Sequence, residues 1–176
     1  MLIEVEKSTL LLVDFQSRLM PAIDQGESVV AQAVRLGRIA QLLNVPIIGT
    51  EQNPAKLGGN EDAIKQLCQT TVNKVHFDAC ADGLLGVLPR PRRQIIIAGC
   101  EAHVCLLQTA HGLLAHGFVV RVVVDAVGSR RESDRATALT RLQQAGAQLV
   151  TVEMVAFEWV RSSEHPAFRQ ILQLIK

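Results

Sequence analysis

The sequence is poor in aromatic residues, with one tryptophan, five phenylalanines and no tyrosine among 176 residues. This scarcity argues against the stacking surfaces on which proteins bind unpaired bases. An excess of one charge is also lacking, because 18 basic and 17 acidic residues leave a formal net charge of +1. The chain therefore has no basic surface of the kind that neutralises phosphates, and we expect no nucleic-acid partner.

Long apolar runs are missing as well. No stretch approaches the roughly 20 residues that a membrane-spanning helix needs, so we expect no membrane partner. The opening MLIEVEKSTLLLVD has acids where a secretory signal has bases, and its apolar run is too short for a signal core. These features predict a cytoplasmic protein in which the four cysteines, Cys68, Cys80, Cys100 and Cys105, stay reduced. No paired Cys or His spacing predicts a metal site, and we expect no cofactor.

What the chain does have is an alternation of apolar runs and helical patterns. The runs cover residues 9–13, 45–50, 71–75, 94–99, 118–124 and 148–152. They are nearly continuous and rich in β-branched residues, which is typical of strands covered on both faces of a parallel sheet. Apolar stripes at helical spacing lie between several of them, for example Val29, Ala33 and Leu36. Residues 1–176 are therefore predicted to form one three-layer α/β/α domain.

Polar residues follow the predicted strands directly, at the edge where open parallel sheets bind ligands. They are Asp14 after the first strand, Thr50-Glu51-Gln52 after the second, Lys74 and His76 after the third, the loop from Cys100 to Cys105 after the fourth, and Asp125 after the fifth. With the strand order 3-2-1-4-5-6, the first and fourth strands are neighbours. Asp14 then faces the cysteine loop, and Lys74 is within reach from the side.

A carboxylate, an ammonium group and a thiol in one cleft suit covalent catalysis, because a nearby cation and a helix N-terminus favour the nucleophilic thiolate. Cys105 lies near a predicted helix start, whereas Cys100 lies at the strand end, where packing is expected. Cys105 is therefore the predicted nucleophile. Each residue also has a purely structural interpretation: buried packing for Cys105, a helix cap for Asp14 and a solvated edge charge for Lys74.

Two other function classes stay open on these residues alone. The first is a non-catalytic binding or scaffold protein with a hydrolase-like cleft, since nothing in the sequence fixes a substrate. The second is thiol redox chemistry between Cys100 and Cys105. Their spacing differs from the CxxC arrangement of dithiol oxidoreductases, so this class is the weakest of the three.

Three segments, LLLVDFQ, TVNKVHF and IIIAGCEAHVCLLQTA, together resemble the isochorismatase-like cysteine hydrolases, which include nicotinamidases and N-carbamoylsarcosine amidohydrolase. The resemblance runs over nearly the whole chain, and TEQNPAKLG and HPAFRQILQLIK are most similar to isochorismatase domain-containing proteins. It implies an α/β fold with a six-stranded parallel sheet flanked by helices. It also implies hydrolysis of a small amide-type C–N bond through a thioester, with a small molecule as substrate.

The resemblance implies a role for each site residue. Asp14 is the general acid and base, Lys74 the cation and Cys105 the nucleophile. A non-proline cis peptide is implied at Cys100–Glu101, where it turns the Glu101 backbone N–H toward the substrate beside that of Cys105, as an oxyanion hole. Two further residues, Gln16 and Gln52, are predicted polar contacts to the substrate.

Two departures from the family pattern narrow the prediction. Nicotinamidases carry an Asp-x-His metal pair where this chain has Glu51-Gln52-Asn53, which argues against a metal and against nicotinamide. True isochorismatases lack the cysteine nucleophile, so Cys105 argues against isochorismate as the substrate.

The superfamily commonly forms homo-oligomers, and we expect this chain to form one. An apolar stripe on a terminal helix opened by Pro166 serves either a subunit interface or the packing of its own domain.

Overall fold

The computed structural model describes residues 1–176 and contains one sheet of six parallel strands in the order β3-β2-β1-β4-β5-β6. The strands are β1 Ser8–Val13, β2 Ile47–Gln52, β3 Thr70–Lys74, β4 Gln94–Gly99, β5 Val119–Val127 and β6 Gln148–Val150. The predicted α/β class and strand order are therefore confirmed. The order reverses between β1 and β4, which is where such sheets bind ligands.

Eight helices cover the two faces of the sheet. They are α1 Gly26–Leu42, α2 Pro54–Leu57, α3 Asp62–Lys65, α4 Leu84–Val87, α5 Leu107–Ala115, α6 Glu132–Gln144, α7 Val152–Val160 and α8 Phe168–Ile175. Helices α1, α7 and α8 enclose one hydrophobic core, and α4, α5 and α6 enclose the other. In β1, Leu10 and Leu12 face the first core while Leu11 and Val13 face the second. Burial on both faces is the reason that the strands are continuous apolar runs.

The chain after β5 differs from the prediction in one element. The run 148–152 was predicted as a strand, but β6 stops at Val150 and Thr151 caps a helix, α7, by accepting the N–H of Met154. A threonine at this position suits a helix N-cap as well as a strand.

Helix α8 begins two residues after Pro166, and its apolar stripe packs on its own domain, with Ile171 buried against the first core. Every helix falls short of the length or the apolar character that a membrane-spanning helix requires.

The connection from β4 to α5 brings the nucleophile loop against the end of β1. Gly99 has φ 132°, and a Cβ there would lie 2.0 Å from the Val13 carbonyl oxygen, so only glycine fits. The Cys100–Glu101 peptide bond is cis, and the Cys100 N–H donates to the Val13 carbonyl over 2.9 Å. A π-helical turn, Ala102–Leu106, then leads into α5 and contains Cys105.

Candidate active site

A buried ion pair lies beyond the ends of β1 and β3. The Lys74 Nζ lies 2.8 Å from Asp14 Oδ2, and the two side chains are 0% and 1% exposed. The Thr50 hydroxyl donates to the other carboxylate oxygen, Oδ1, over 2.6 Å. Thr50 pairs with Val13, the last residue of β1, and Asp14 then leaves the strand with a φ of 50°. Both oxygens of the carboxylate therefore have a strong donor, and its orientation is fixed from two strands.

Gln52 connects the cation to the thiol. It is the register partner of Lys74 across the β2–β3 ladder, so the two side chains lie on the same face of the sheet. Its Oε1 accepts a hydrogen bond from Lys74 Nζ over 2.7 Å and lies 3.9 Å from Cys105 Sγ, which donates to it. Its Nε2 donates to the Val75 carbonyl over 2.8 Å, which fixes the direction of the amide.

Cys105 is 7% exposed and lies in the second core, beside the ion pair. Burial, followed by the nearby Asp14 carboxylate, raises the pKa of Cys105 to about 12, while Lys74 acts in the opposite direction. The thiol is therefore protonated at neutral pH and needs a base to become nucleophilic. Asp14 and Lys74 are the charged groups that act on it.

Cys100 has a different environment. It is fully buried in the first core, on the other side of the sheet from Cys105, and burial raises its pKa to about 12. All four cysteines are free thiols. Placement of Cys100 and Cys105 in separate cores gives no support to a redox pair.

The Glu101 backbone N–H has no backbone acceptor, and the Glu101 side chain is held in place. The carboxylate accepts hydrogen bonds from Arg130 N and Nε, each over 3.0 Å, and the next N–H, that of Ala102, donates to the Gly128 carbonyl over 2.8 Å. The loop after β5 therefore fixes the turn that carries the free N–H.

Gln16 does not have the geometry predicted for it. It is fully buried, and its Nε2 donates to the Gln52 carbonyl over 3.0 Å and to the Gly58 carbonyl over 2.6 Å. Its Oε1 accepts the Gln52 N–H over 2.8 Å. Because both amide hydrogens are bound to the backbone, Gln16 braces the end of β2 and has no free donor for a substrate.

Sequence reasoning missed the role of Thr50. It noted this residue after the second strand but assigned it nothing, although a polar residue two positions before Gln52 faces the same side of a strand. The polar residue between them, Glu51, faces away and accepts the Asn60 N–H over 2.8 Å. His103 is half-buried and lies 3.0 Å from the Ser129 hydroxyl.

The sequence and the fold of the chain are similar to those of known proteins. A model of the isochorismatase domain matches residues 8–154. The isochorismatase domain-containing protein 2 of Danio rerio is 37% identical over 170 residues, covering 96% of this chain and 86% of the relative. The structure of the MAR1 ribonuclease from Caenorhabditis elegans has a TM-score of 0.94 and 35% identity, covering 99% of this chain and 92% of that one. The Escherichia coli YcaC gene product, described as an octameric hydrolase of unknown specificity, has a TM-score of 0.86 and 27% identity, covering 98% and 95%.

These comparisons agree with the sequence motifs and with the strand order. The match to the domain model includes all the strands and the residues of the ion pair and the thiol. Membership of a hydrolase family supports a hydrolytic activity, whereas the names of the relatives differ on its substrate. The chain belongs to the isochorismatase family.

Proposed function

We propose that this protein is a cysteine hydrolase that cleaves the C–N bond of a small amide through a thioester intermediate. The observation that carries the proposal is the buried Lys74–Asp14 pair beside the Cys105 thiol. Burying two charges is costly unless they are paired, and an apolar pair would pack there at lower cost. A function that requires the charges accounts for their presence.

The first half of the reaction forms the thioester. Asp14 accepts the thiol proton, and the Cys105 thiolate then attacks the substrate carbonyl, forming the C–S bond. Asp14 repels a thiolate only while the carboxylate is ionised, so this transfer removes the repulsion and leaves Lys74 facing the thiolate. When the tetrahedral intermediate collapses, the C–N bond breaks and Asp14 returns the proton to the departing nitrogen.

The second half of the reaction releases the acid. Asp14 removes a proton from water, and the resulting hydroxide attacks the thioester carbonyl. The C–S bond breaks, the carboxylic acid departs and Cys105 recovers its proton from Asp14. One carboxylate thus acts in turn as base and acid, as general acid–base catalysis requires.

Two backbone N–H groups serve the developing oxyanion. The Glu101 N–H has no backbone acceptor within the protein, and the proposal pairs it with the Cys105 N–H at the substrate oxygen. Fixed donors of this kind contribute about 10²–10³ in rate each. Gln52 contacts both Lys74 and the thiol through its amide oxygen. Its Nε2 donates one hydrogen to the Val75 carbonyl, and we assign the other hydrogen to contact with the substrate. Gln16 acts behind Gln52 as a brace.

A panel of small aliphatic and aromatic amides tests the proposal, with ammonia release as the readout. We expect turnover that Cys105→Ala and Asp14→Asn each abolish while both variants stay folded. Acid quenching during turnover is expected to trap an acyl adduct on Cys105, seen by intact-mass spectrometry. Turnover that survives Cys105→Ala would contradict the assignment of Cys105 as the nucleophile.

Two alternatives are separated by the same experiment. A non-catalytic binding protein would bind members of the panel without turnover. A ribonuclease, as the C. elegans relative is named, would cleave RNA instead. We expect no RNA cleavage, since the net charge of +1 offers little attraction for phosphates.

We also propose that the chain forms a homo-oligomer with a small-molecule substrate as its only other partner. The description of the E. coli relative as octameric supports the first part. Light scattering coupled to size-exclusion chromatography measures it, and a mass of a single 19.2 kDa chain would contradict it.

A further inference from the structure

The segment that follows Lys74, residues 75–78, crosses from the edge of the sheet toward the helix of the nucleophile. We call it the arch. At its far end, the Thr109 hydroxyl donates to the Phe77 carbonyl over 3.3 Å and accepts the Ala79 N–H over 3.1 Å. Thr109 lies one helical turn after Cys105, so this end of the arch is tied to the helix that carries the thiol.

At its near end the arch is tied by one carboxylate. Asp82 Oδ2 accepts the N–H of Val75 and the N–H of His76, each over 2.8 Å. Its Oδ1 lies 2.8 Å from His76 Nδ1. The Asp82 side chain is only 17% exposed, although the His76 ring is 64% exposed. Hydrogen bonds from the His76 side chain and backbone lower the pKa of Asp82, so its carboxylate is charged at neutral pH.

The carbonyl groups of the same two residues face the active site. The Val75 carbonyl accepts the Gln52 amide N–H over 2.8 Å, and the His76 carbonyl lies 3.5 Å from Lys74 Nζ. Gln52 in turn contacts Lys74 and Cys105 through its amide oxygen. A continuous series of hydrogen bonds therefore runs from Asp82 through the arch backbone to the ammonium group and the thiol.

We propose that Asp82 is a positioning residue for this hydrolase: it holds the arch, and through it Gln52 and Lys74, in the geometry that activates Cys105. The inference rests on the proposed function. Its physical basis is that a loop with unpaired N–H groups moves to find partners in water, whereas one fixed carboxylate oxygen satisfies two of them here. A displacement of about 1 Å in such a site costs up to about 100-fold in rate.

The test uses the rate at which iodoacetamide alkylates Cys105, which needs no known substrate. Asp82→Ala removes the acceptor, and we expect the rate at Cys105 to fall about tenfold or more while the rate at Cys68 is unchanged. Asp82→Asn is the matched control: both backbone N–H groups share a single oxygen, which an asparagine retains, so it is expected to react like the wild-type chain. Asp62→Ala removes an exposed carboxylate of α3 that accepts no hydrogen bond and serves as the second control.

The outcomes separate this inference from the proposed function. If no member of the amide panel is turned over, or if turnover survives Cys105→Ala, the proposed function fails. If turnover depends on Cys105 but Asp82→Ala leaves the alkylation rate of Cys105 unchanged, the function stands and the inference is wrong. Faster alkylation of every cysteine in Asp82→Ala would indicate a loosened fold and would also overturn the inference. Asp82→Ser, which is too short to reach both N–H groups, carries the same prediction if the alanine variant does not fold.

Discussion

The ammonium group of Lys74 lies 2.8 Å from the carboxylate of Asp14, although 60 residues separate them in the chain. The two side chains are 0% and 1% exposed. Isolated charges at this depth are strongly unfavourable, and pairing offsets part of that cost. The pair places a carboxylate and an ammonium group beside a thiol that is protonated at neutral pH.

Replacement of Lys74 by methionine is expected to destabilise the protein and to abolish turnover. The change leaves a buried carboxylate without its cation, at a cost of about 3–5 kcal/mol in the free energy of unfolding. Urea unfolding measures this cost. The double variant Asp14→Asn, Lys74→Met is expected to regain most of the stability but none of the activity. Equal stability of the single variant and the wild-type chain would show that the pair is not buried in solution.

Replacement of Thr50 by valine is expected to lower turnover by about 10- to 100-fold, because the Asp14 carboxylate loses the donor that fixes Oδ1. The free energy of unfolding is expected to fall by about 1–3 kcal/mol, the cost of an unsatisfied buried acceptor. Steady-state kinetics and urea unfolding measure the two effects. Thr50→Ser retains the hydroxyl and should restore the rate. A valine variant with wild-type turnover would contradict the role assigned to this hydroxyl.

Replacement of Gln16 by leucine distinguishes a brace from a substrate contact. The variant leaves the Gln52 N–H and two carbonyls without their partner, so we expect a loss of about 1–3 kcal/mol in the free energy of unfolding and a lower kcat. A substrate contact would instead raise KM with stability unchanged. Thermal melts and steady-state kinetics on the same preparation therefore decide between the two roles.

Alkaline pH is expected to destabilise the reduced protein through its buried thiols. Burial raises the pKa of Cys100 from 9.0 to about 12. Above about pH 9 the unfolded chain has lost this proton while the folded chain retains it, so stability is full below that pH and falls as the pH rises toward 12, by about 1.4 kcal/mol per unit for one thiol.

The variant Cys100→Ala isolates this effect. It lacks one of the titrating groups, so its free energy of unfolding should decline less steeply between about pH 9 and about pH 11 than that of the wild-type chain. Urea unfolding under reducing conditions measures both slopes. The absence of tyrosine removes one competing titration from this range. Equal slopes would contradict the burial of this thiol.

Several features of the site followed from the sequence because they depend on where strands end. Asp14, Lys74 and Cys105 come after separate apolar runs, and parallel strands bring their carboxyl ends to one edge. The GCEAH segment could be placed against the first strand for the same reason. The helix α7 was missed because QLVTV continues as EMVAFEWV without a turn signal, so only the Thr151 cap distinguishes the boundary.

Sequence by itself determined the class of the sheet and the three reactive groups, because burial on both faces dictates continuous apolar runs and chemistry dictates residue type. Tertiary structure alone decided the partners of those groups. Gln52 meets Lys74 because the strand register sets them side by side. Thr50 meets Asp14 because it pairs with Val13, after which the chain leaves the strand at Asp14. The brace of Gln16 and the tie of Asp82 depend on the paths of two loops. A hydrogen bond requires a donor–acceptor distance within a few tenths of an ångström and a suitable angle. Sequence patterns specify which face of a helix or strand a residue lies on, but they do not specify these distances and angles.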